Sequence, residues 1–202
     1  SNATVTCMGL GSVKFEIGDY GGAGGPPGAA GLCILRGGTI NLPYAAGWTR
    51  FGSNRANDQG KLQGWGTFNS STNLTFGFRG FVVADGFGTD HTLLIANYSS
   101  LSSYANPPAT TNGWYAQNHG KLQLHPIPVS GSGIQYWGGA NSTDLVNTVT
   151  LNLAGVSGSG ALTGALYAVD HGEVPAYTNG VKIAGIWRFA TNGFAMTSAN
   201  VT

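Results

Sequence analysis

Five aromatic side chains are the residues of this sequence best suited to binding chemistry. They are Trp65, Trp114, Tyr115, Tyr136 and Trp137, and they stand among glycine, amide and hydroxyl residues. Indole and phenol rings offer flat apolar faces to the C–H face of a sugar, while nearby amides bind the sugar's hydroxyls. The sequence therefore predicts these five residues as candidates for a shallow ligand-binding site. The alternative for each of them is packing in a core or in a subunit interface.

The ionisable residues form no recognisable catalytic or metal-binding pattern. The four histidines lack close pairing, and the neighbours Asp90-His91 and Asp170-His171 would point to opposite sides of a strand. The string DGFGTD, residues 85–90, lacks the later acid of a calcium-binding EF-hand, so a turn is predicted there. Motifs for a serine nucleophile, a phosphate loop or a zinc protease are also missing. We expect a protein without enzymatic activity, cofactor or metal, and carboxylate-based glycan hydrolysis is kept as a third hypothesis.

The composition favours a folded protein with a largely uncharged, polar surface. Only 8% of the residues are charged, whereas 42% are hydrophobic and 34 of 202 are glycine. That hydrophobic content is enough to offset the entropy lost when the chain orders. The net charge is +1, the basic residues are scattered, and no apolar run approaches the roughly 20 residues of a membrane span. We therefore expect neither nucleic-acid binding nor membrane insertion, and a location on a virion surface or outside a cell.

Strand patterns dominate, and no segment keeps a helical period over three turns. Apolar and polar residues alternate most clearly at 149–153, and further strands are predicted at 13–17, 74–78, 92–96, 162–169 and 181–189. The pair Asn192-Gly193 predicts a type I′ hairpin. The pattern predicts one all-β domain over residues 4–202, built as an antiparallel β-sandwich or jelly roll. Residues 1–3 are typical of the remnant of a cleaved expression tag.

A glycine-rich segment occupies residues 21–33. It contains the consecutive triplets GAG, GPP, GAA and GLC, which follow the Gly-X-Y pattern of collagen. Such a run could form a short three-chain stalk or a glycine-rich loop. The loop is favoured because a strand-like segment precedes it, whereas a stalk normally stands at one end of a domain.

Covalent modification is left open by the sequence. Cys7 and Cys33 could form a disulfide that ties the first strand to the next, and the alternative is two buried thiols. The sequons at Asn69, Asn73, Asn97, Asn141 and Asn200 do not establish glycosylation, because several would arise by chance in this composition.

The tetrapeptide GKLQ occurs twice, at residues 60–63 and 120–123. The copies lie at unequal distances from a preceding Gly-Trp pair, which argues against a solenoid repeat and favours a glycine that starts a strand in each copy. In the first copy Trp65 shares the polar face of the strand, so either a glycine bulge buries its ring or the ring is exposed at a surface. Burial is favoured. We also predict different surroundings for Trp65 and for His125, its counterpart in the second copy.

The segment INLPYAAGWTRFG, residues 40–52, followed by GKLQGWGTF, residues 60–68, resembles the opening of β-rich C-terminal head domains of bacteriophage tail-fibre and other viral attachment fibre proteins. The Gly-X-Y run suits the same class. The resemblance implies the head of a homotrimeric virion fibre or spike that attaches to a host-surface glycan or protein, without catalytic residues. The second hypothesis is a secreted carbohydrate-binding module or lectin domain.

Overall fold

The computed structural model describes residues 3–7, 13–18, 30–43, 47–52, 58–77, 79–98, 101–103, 113–125, 133–137, 149–158, 160–168, 177–178, 181–182 and 185–201. Within them it contains eighteen strands and no helix, which confirms the all-β class. The strands are β1 Thr4–Thr6, β2 Val13–Ile17, β3 Ala30–Leu42, β4 Gly47–Phe51, β5 Gln59–Ser70, β6 Asn73–Phe76, β7 Gly80–Asp85, β8 His91–Ala96, β9 Leu101–Ser103, β10 Gly113–Gln117, β11 Gly120–His125, β12 Gly133–Trp137, β13 Val149–Ala154, β14 Ala161–Ala168, β15 Tyr177–Thr178, β16 Val181–Lys182, β17 Gly185–Asn192 and β18 Ser198–Val201.

The strands from β2 to β11 wind into a parallel β-solenoid. On the first face, β2, β4, β6 and β9 stack in parallel. On the second face, the first halves of β3 and β5 stack with β7 and β10. On the third face, the second halves of β3 and β5 stack with β8 and β11, and β1 extends this ladder at β3. Each coil of the chain thus contributes one segment to each of three faces, and hydrogen bonds join successive coils.

The inward side chains of the solenoid form one apolar core. Phe51, Leu62 and Phe68 are fully buried, and the ring of Phe51 lies 5.7 Å from that of Phe68 and 5.6 Å from that of Phe76. Burial of each such side chain contributes about 1.5–3 kcal/mol. Because a slip of one residue would move these rings to the outside, the core also fixes the register of the coils.

Glycines begin the strand segments at places where two backbones approach closely. A Cβ atom at Gly60 would overlap the carbonyl oxygen of Ile17, and one at Gly120 would overlap that of Ala84. In both GKLQ copies the glycine lies at the entrance of a strand, as predicted, and neither position has room for a side chain. Gly60 belongs to the second face and Gly120 to the third.

An asparagine ladder runs along the edge at which the third face ends. Asn69 donates through Nδ2 to Oδ1 of Asn41 at 2.9 Å, and Asn97 donates to Oδ1 of Asn69 at 2.8 Å. The three residues come from successive coils, so the ladder adds side-chain hydrogen bonds to those of the backbone.

Antiparallel strands follow the last coil. β14 pairs with β11 and β17 pairs with β14, which continues the third face beyond the solenoid. β12, β13 and β18 form a separate three-stranded antiparallel sheet, and β15 pairs with β16. The pairing with β14 covers the hydrogen-bonding edge of β11 that the solenoid would otherwise expose.

The prediction of an antiparallel sheet throughout is wrong, because nine of the fourteen described ladders are parallel. The argument against a solenoid is also wrong. Register partners on successive coils are 20 residues apart at Gly60 and Gly80 but 34 apart at Val13 and Gly47. The connections between strands differ in length from coil to coil, and this hides the repeat in the sequence. The two GKLQ copies also lie on different faces, so the distance between them along the chain is not the length of a coil.

The hairpin predicted at Asn192-Gly193 is wrong. β17 continues to Asn192 in its pairing with β14, and the chain then crosses to bond Ala195 with Ser157 before β18 joins β13. Strand pairing with distant segments thus overrides a local turn signal. The strands predicted from alternation at 13–17 and 92–96 are confirmed as β2 and as part of β8.

Cys7 and Cys33 are both free thiols. The backbone N–H of Cys7 bonds the carbonyl of Asn41, whereas Cys33 is in register with Leu62, eight residues closer to the start of β3. Eight residues at about 3.3 Å each amount to roughly 26 Å along the strand, too far for a disulfide. The last Gly-X-Y triplet, which ends at Cys33, lies within β3; residues 19–29 are outside the described part of the chain.

Candidate functional site

The second and third faces meet along an edge at which successive coils turn differently. β3 and β5 pass through it without interruption, turning on Gly37, Gly38, Gly64 and Gly66, which all have positive φ. In the next coil, residues 86–90 separate β7 from β8, and in the last coil Asn118 and His119 separate β10 from β11. We call this region the turn edge; it comprises Arg36, Trp65, residues 85–91 and residues 117–121. The inserted turns place polar and aromatic side chains on the outside of the solenoid.

Trp65 lies near the middle of the turn edge. Its indole stacks on the imidazole of His91, with ring centres 4.1 Å apart and planes inclined by 17°. The residue is half-buried. Gly64 and Gly66 bend the strand without resetting its alternation, so Trp65 stays on the outer side. The sequence analysis favoured burial of this ring in the core, and the structure does not place it there.

The two residues that follow the GKLQ copies have different surroundings, as predicted. Trp65 stacks on an imidazole from the next coil. His125 is exposed at the end of β11, where its carbonyl accepts a hydrogen bond from the backbone of Asn97 at 2.8 Å. The repeated tetrapeptide therefore marks a shared way to begin a strand and not a shared binding site.

Phe87 reaches across the turn edge to the first coil. The guanidinium carbon of Arg36 lies 4.2 Å from the centre of the Phe87 ring, which is the geometry of a cation–π contact. Phe87 is 39% exposed and has a φ of 51°, a conformation that bulky residues seldom adopt. Strain of this kind persists only where surrounding bonds hold it in place.

Asp85 supplies those bonds. Its Oδ1 accepts a hydrogen bond from the backbone N–H of Phe87 at 2.8 Å and one from Nδ2 of Asn118 at 3.2 Å. Its Oδ2 accepts from Nε2 of Gln63 at 2.6 Å and from Nε2 of Gln117 at 2.7 Å. Burial alone would raise the pKa of Asp85, but the four hydrogen bonds outweigh it and hold the pKa below its ordinary value. One buried carboxylate thus connects three successive coils and fixes the turn that carries Phe87.

Asp90 connects the turn to the last coil at the surface. Lys121 donates through Nζ to Oδ2 of Asp90 at 2.8 Å, and Nδ1 of His119 lies 3.3 Å from Oδ1. The hydrogen bond from Lys121 is the main reason that the pKa of Asp90 is lowered. Asp90 and its neighbour His91 therefore have separate partners, since His91 stacks on Trp65.

Arg36 is the charged group on the turn edge with the fewest contacts. In the part of the chain that the structure describes, its guanidinium meets the ring of Phe87 and makes no hydrogen bond or ion pair. The N–H groups in the guanidinium plane are available to a ligand, because a cation–π contact covers only the flat face. With the rings of Trp65 and Phe87, Arg36 offers flat apolar surface beside a directional cationic donor.

The other four aromatic candidates are not brought to this edge together. Trp114 and Tyr115 lie on β10, on the second face, while Tyr136 and Trp137 lie on β12 in the separate three-stranded sheet. Their side chains are outside the part that the structure describes. Trp65 is therefore the candidate for which a site can be built from the described residues.

Sequence reasoning missed Arg36, Asp85 and Phe87 as members of a site. The string DGFGTD does form the predicted turn, and an aromatic residue between its glycines was a signal that could have been used, because turn centres favour small polar residues. Arg36 carried no such signal, since it meets Phe87 only through the stacking of coils.

The described residues contain no group of three or more His, Cys, Asp or Glu side chains placed to hold a metal ion. They also contain no helix long and apolar enough to cross a membrane.

Comparisons of the chain with protein-family models, with curated proteins and with solved structures give no match. Function is therefore argued from the solenoid and from the chemistry of the turn edge. The similarity of residues 40–52 and 60–68 to viral fibre heads stays a prediction.

Proposed function

We propose that this protein is the receptor-binding head domain of a virion fibre or spike, which attaches to a host-surface glycan or protein through the turn edge and catalyses no reaction. The observation that carries the proposal is the grouping of Trp65, Phe87 and Arg36 on the outside of the solenoid. Flat rings and a directional donor are the groups with which proteins bind sugars and peptide surfaces.

The scaffold supports this proposal because it holds the binding groups before a ligand arrives. Trp65 is stacked on His91, and Phe87 is fixed through the bond from its backbone to Asp85. Side chains that are already ordered lose little entropy on binding. Rigid strands with short turns are also more precise platforms than long loops.

The outer side of β3 supports an assembly of several subunits. Leu32 and Ile34 are 58% and 53% exposed and lie next to each other on the same side of the strand. Exposed neighbouring apolar side chains often mark a protein interface. Together with the weakly charged composition and the resemblance to fibre heads, they suit the homotrimer of a virion attachment protein.

The second candidate function is a secreted carbohydrate-binding module or lectin domain. It is favoured by the fact that the Trp65–His91 stack and the Arg36–Phe87 contact are each complete within one chain. A site of that kind does not need a neighbouring subunit. Both candidates use the same surface, and they differ in the number of chains that assemble.

The test compares the wild type with Trp65→Ala on a broad glycan array and on intact bacterial cells treated with periodate or with protease. Periodate destroys glycan receptors and protease destroys protein receptors. We expect Trp65→Ala to weaken attachment about five- to tenfold, the effect of removing one stacked ring. Met196→Ala, which removes a residue that is 39% exposed and lies beyond β17, is the matched control and should bind like the wild type. Equal attachment by Trp65→Ala and the wild type would overturn the proposal.

A further inference from the structure

We propose that the ligand of the turn edge is an acidic glycan and that its carboxylate binds the guanidinium of Arg36. This inference rests on the proposed function, because it names the class of ligand for the same surface. It assigns Arg36 as the residue that selects charged over neutral sugars, while Trp65 and Phe87 bind the sugar rings.

The charged side chains of the turn edge favour an anionic ligand. Asp85 is 1% exposed and its two oxygens accept four hydrogen bonds. Asp90 is engaged by Lys121 at 2.8 Å and by His119 at 3.3 Å. Arg36 is the remaining charged side chain of this edge, and among the described residues it has no acid beside it. Arg36 is therefore the exposed cation of this edge that no described acid pairs with, and such a cation attracts an anionic group of a ligand.

The geometry of the Arg36 guanidinium favours a carboxylate as the anionic group. The ring of Phe87 covers one face of the guanidinium at 4.2 Å. A planar guanidinium in this position donates from its edge, and two parallel N–H groups match the two oxygens of a carboxylate. A neutral hydroxyl has one oxygen and no charge, so it cannot match both parallel N–H groups of the fork, and the arrangement favours a carboxylate-bearing sugar.

The turn that holds Phe87 orders the side chain of Arg36 before a ligand binds. Its backbone has a φ of 51° and is fixed by the 2.8 Å bond from the N–H of Phe87 to Asp85. That conformation is costly for an aromatic residue, and its effect is to place the ring against Arg36. The contact restricts the long arginine side chain before a ligand arrives, which lowers the entropy lost on binding.

The experiment uses an array of uronate- and sialate-containing oligosaccharides, each printed beside its own methyl ester. The ester keeps the sugar ring and removes the charge. We expect the wild type to bind acids about tenfold more tightly than esters, as for a charge-assisted pair. Arg36→Gln should lose this preference, because it should weaken the binding of acids about tenfold more than the binding of esters. Arg36→Lys should fall between the wild type and Arg36→Gln, because lysine keeps the charge without the fork. Trp65→Ala should weaken the binding of acids and esters alike.

The outcomes separate this inference from the proposed function. Equal wild-type binding of acid and ester, or an unchanged preference in Arg36→Gln, would overturn the acidic ligand while leaving attachment through Trp65 in place. Failure of the wild type to bind any acidic oligosaccharide would also overturn it, and the cell-attachment experiment would then decide the proposed function alone. Arg36 is exposed, so its variants should fold, and unchanged circular dichroism and Tm are the control.

Discussion

At the scale of single residues, Asp85 determines the shape of the turn edge more than any residue that a ligand could touch. It is 1% exposed, and its partners come from three coils. A buried carboxylate that accepts several hydrogen bonds is stable only while they are all made, because an unpaired buried group is costly. Phe87 and Arg36 therefore depend on a buried residue that a ligand does not touch.

We predict that Asp85→Asn destabilises the protein by about 2–4 kcal/mol, because the new amide N–H₂ would face donors where an acceptor is needed. Urea denaturation at neutral pH measures the change in the free energy of unfolding. Asp90→Asn is the matched control, since Asp90 is an exposed residue and its surface ion pair is worth about 1 kcal/mol or less. Equal stability of the two variants would contradict the role given to Asp85.

The acid stability of the protein should depend on the same carboxylate. The pKa of Asp85 is lower in the folded protein than its unfolded value of about 3.9. Its contribution to stability is therefore fully present above about pH 4 and is lost as the pH falls through the lower folded pKa. We predict that the free energy of unfolding declines more steeply below about pH 4 in the wild type than in Asp85→Asn. Urea titrations over the acid range measure this, and parallel declines would count against it.

At this scale the sequence predicted part of the site. Trp65 stood out because its neighbours are glycine and amide residues. The alternation of its strand indicated the outer side, although burial of the ring was the favoured prediction. Arg36 and Phe87 could not be paired from the sequence, since they are 51 positions apart and meet only when the first three coils have stacked. The role of Asp85 was hidden for the same reason.

At the scale of the elements, the glycines at the strand starts decide whether the coils can stack. Gly60 begins the paired segment of the second face, where its Cα lies against the backbone of the previous coil. A methyl group there would have to push two main chains apart, and the backbone cannot yield as a flexible side chain can.

We predict that Gly60→Ala destabilises the protein by about 3 kcal/mol or more, since overpacking against backbone has no cheap relaxation. Gly88→Ala is the matched control. Gly88 has a positive φ, of 88°, and open space surrounds the position of a new Cβ, so its cost should stay at about 1–2 kcal/mol of backbone strain. Thermal and urea unfolding measure both, and a Gly60→Ala variant as stable as the wild type would contradict the close approach.

Local alternation predicted individual strands well and their pairing poorly. The pattern of Val149–Leu153 and that of Thr92–Ala96 correctly indicated strands. However, inward and outward residues alternate alike in parallel and antiparallel sheets when one face is exposed. Whether a strand pairs in parallel or antiparallel depends on which distant strand lies beside it. The local sequence of β5 or β8 does not indicate this.

At the scale of the whole molecule, stacked coils end in antiparallel strands. The core of the solenoid is continuous from Ile17 to Leu124, and β14 covers the last strand of the third face. The all-β class followed from composition and strand patterns. The solenoid could not be predicted from the sequence, because connections of unequal length hide its repeat. The 60-residue spacing of the two GKLQ copies is also not the length of a coil.

We predict that the protein forms a homotrimer in which Leu32 and Ile34, on the outer side of β3, are buried while Arg36 stays exposed. Light scattering at high concentration should give three times the mass of one chain. Leu32→Asp should shift the protein toward monomer, because a charge in an apolar interface is costly, whereas Met196→Asp should leave the trimer intact. A wild type that stays monomeric would instead favour the secreted carbohydrate-binding module.

The central claim is that the turn edge is the surface that binds the receptor. The most direct measurement is a calorimetric titration of the tightest glycan found on the array into the wild type, Trp65→Ala and Met196→Ala. We predict a Kd about five- to tenfold weaker for Trp65→Ala, the effect of removing one stacked ring, and an unchanged Kd for Met196→Ala. The same Kd for Trp65→Ala and the wild type would contradict the claim, because the ligand would then bind elsewhere on the molecule.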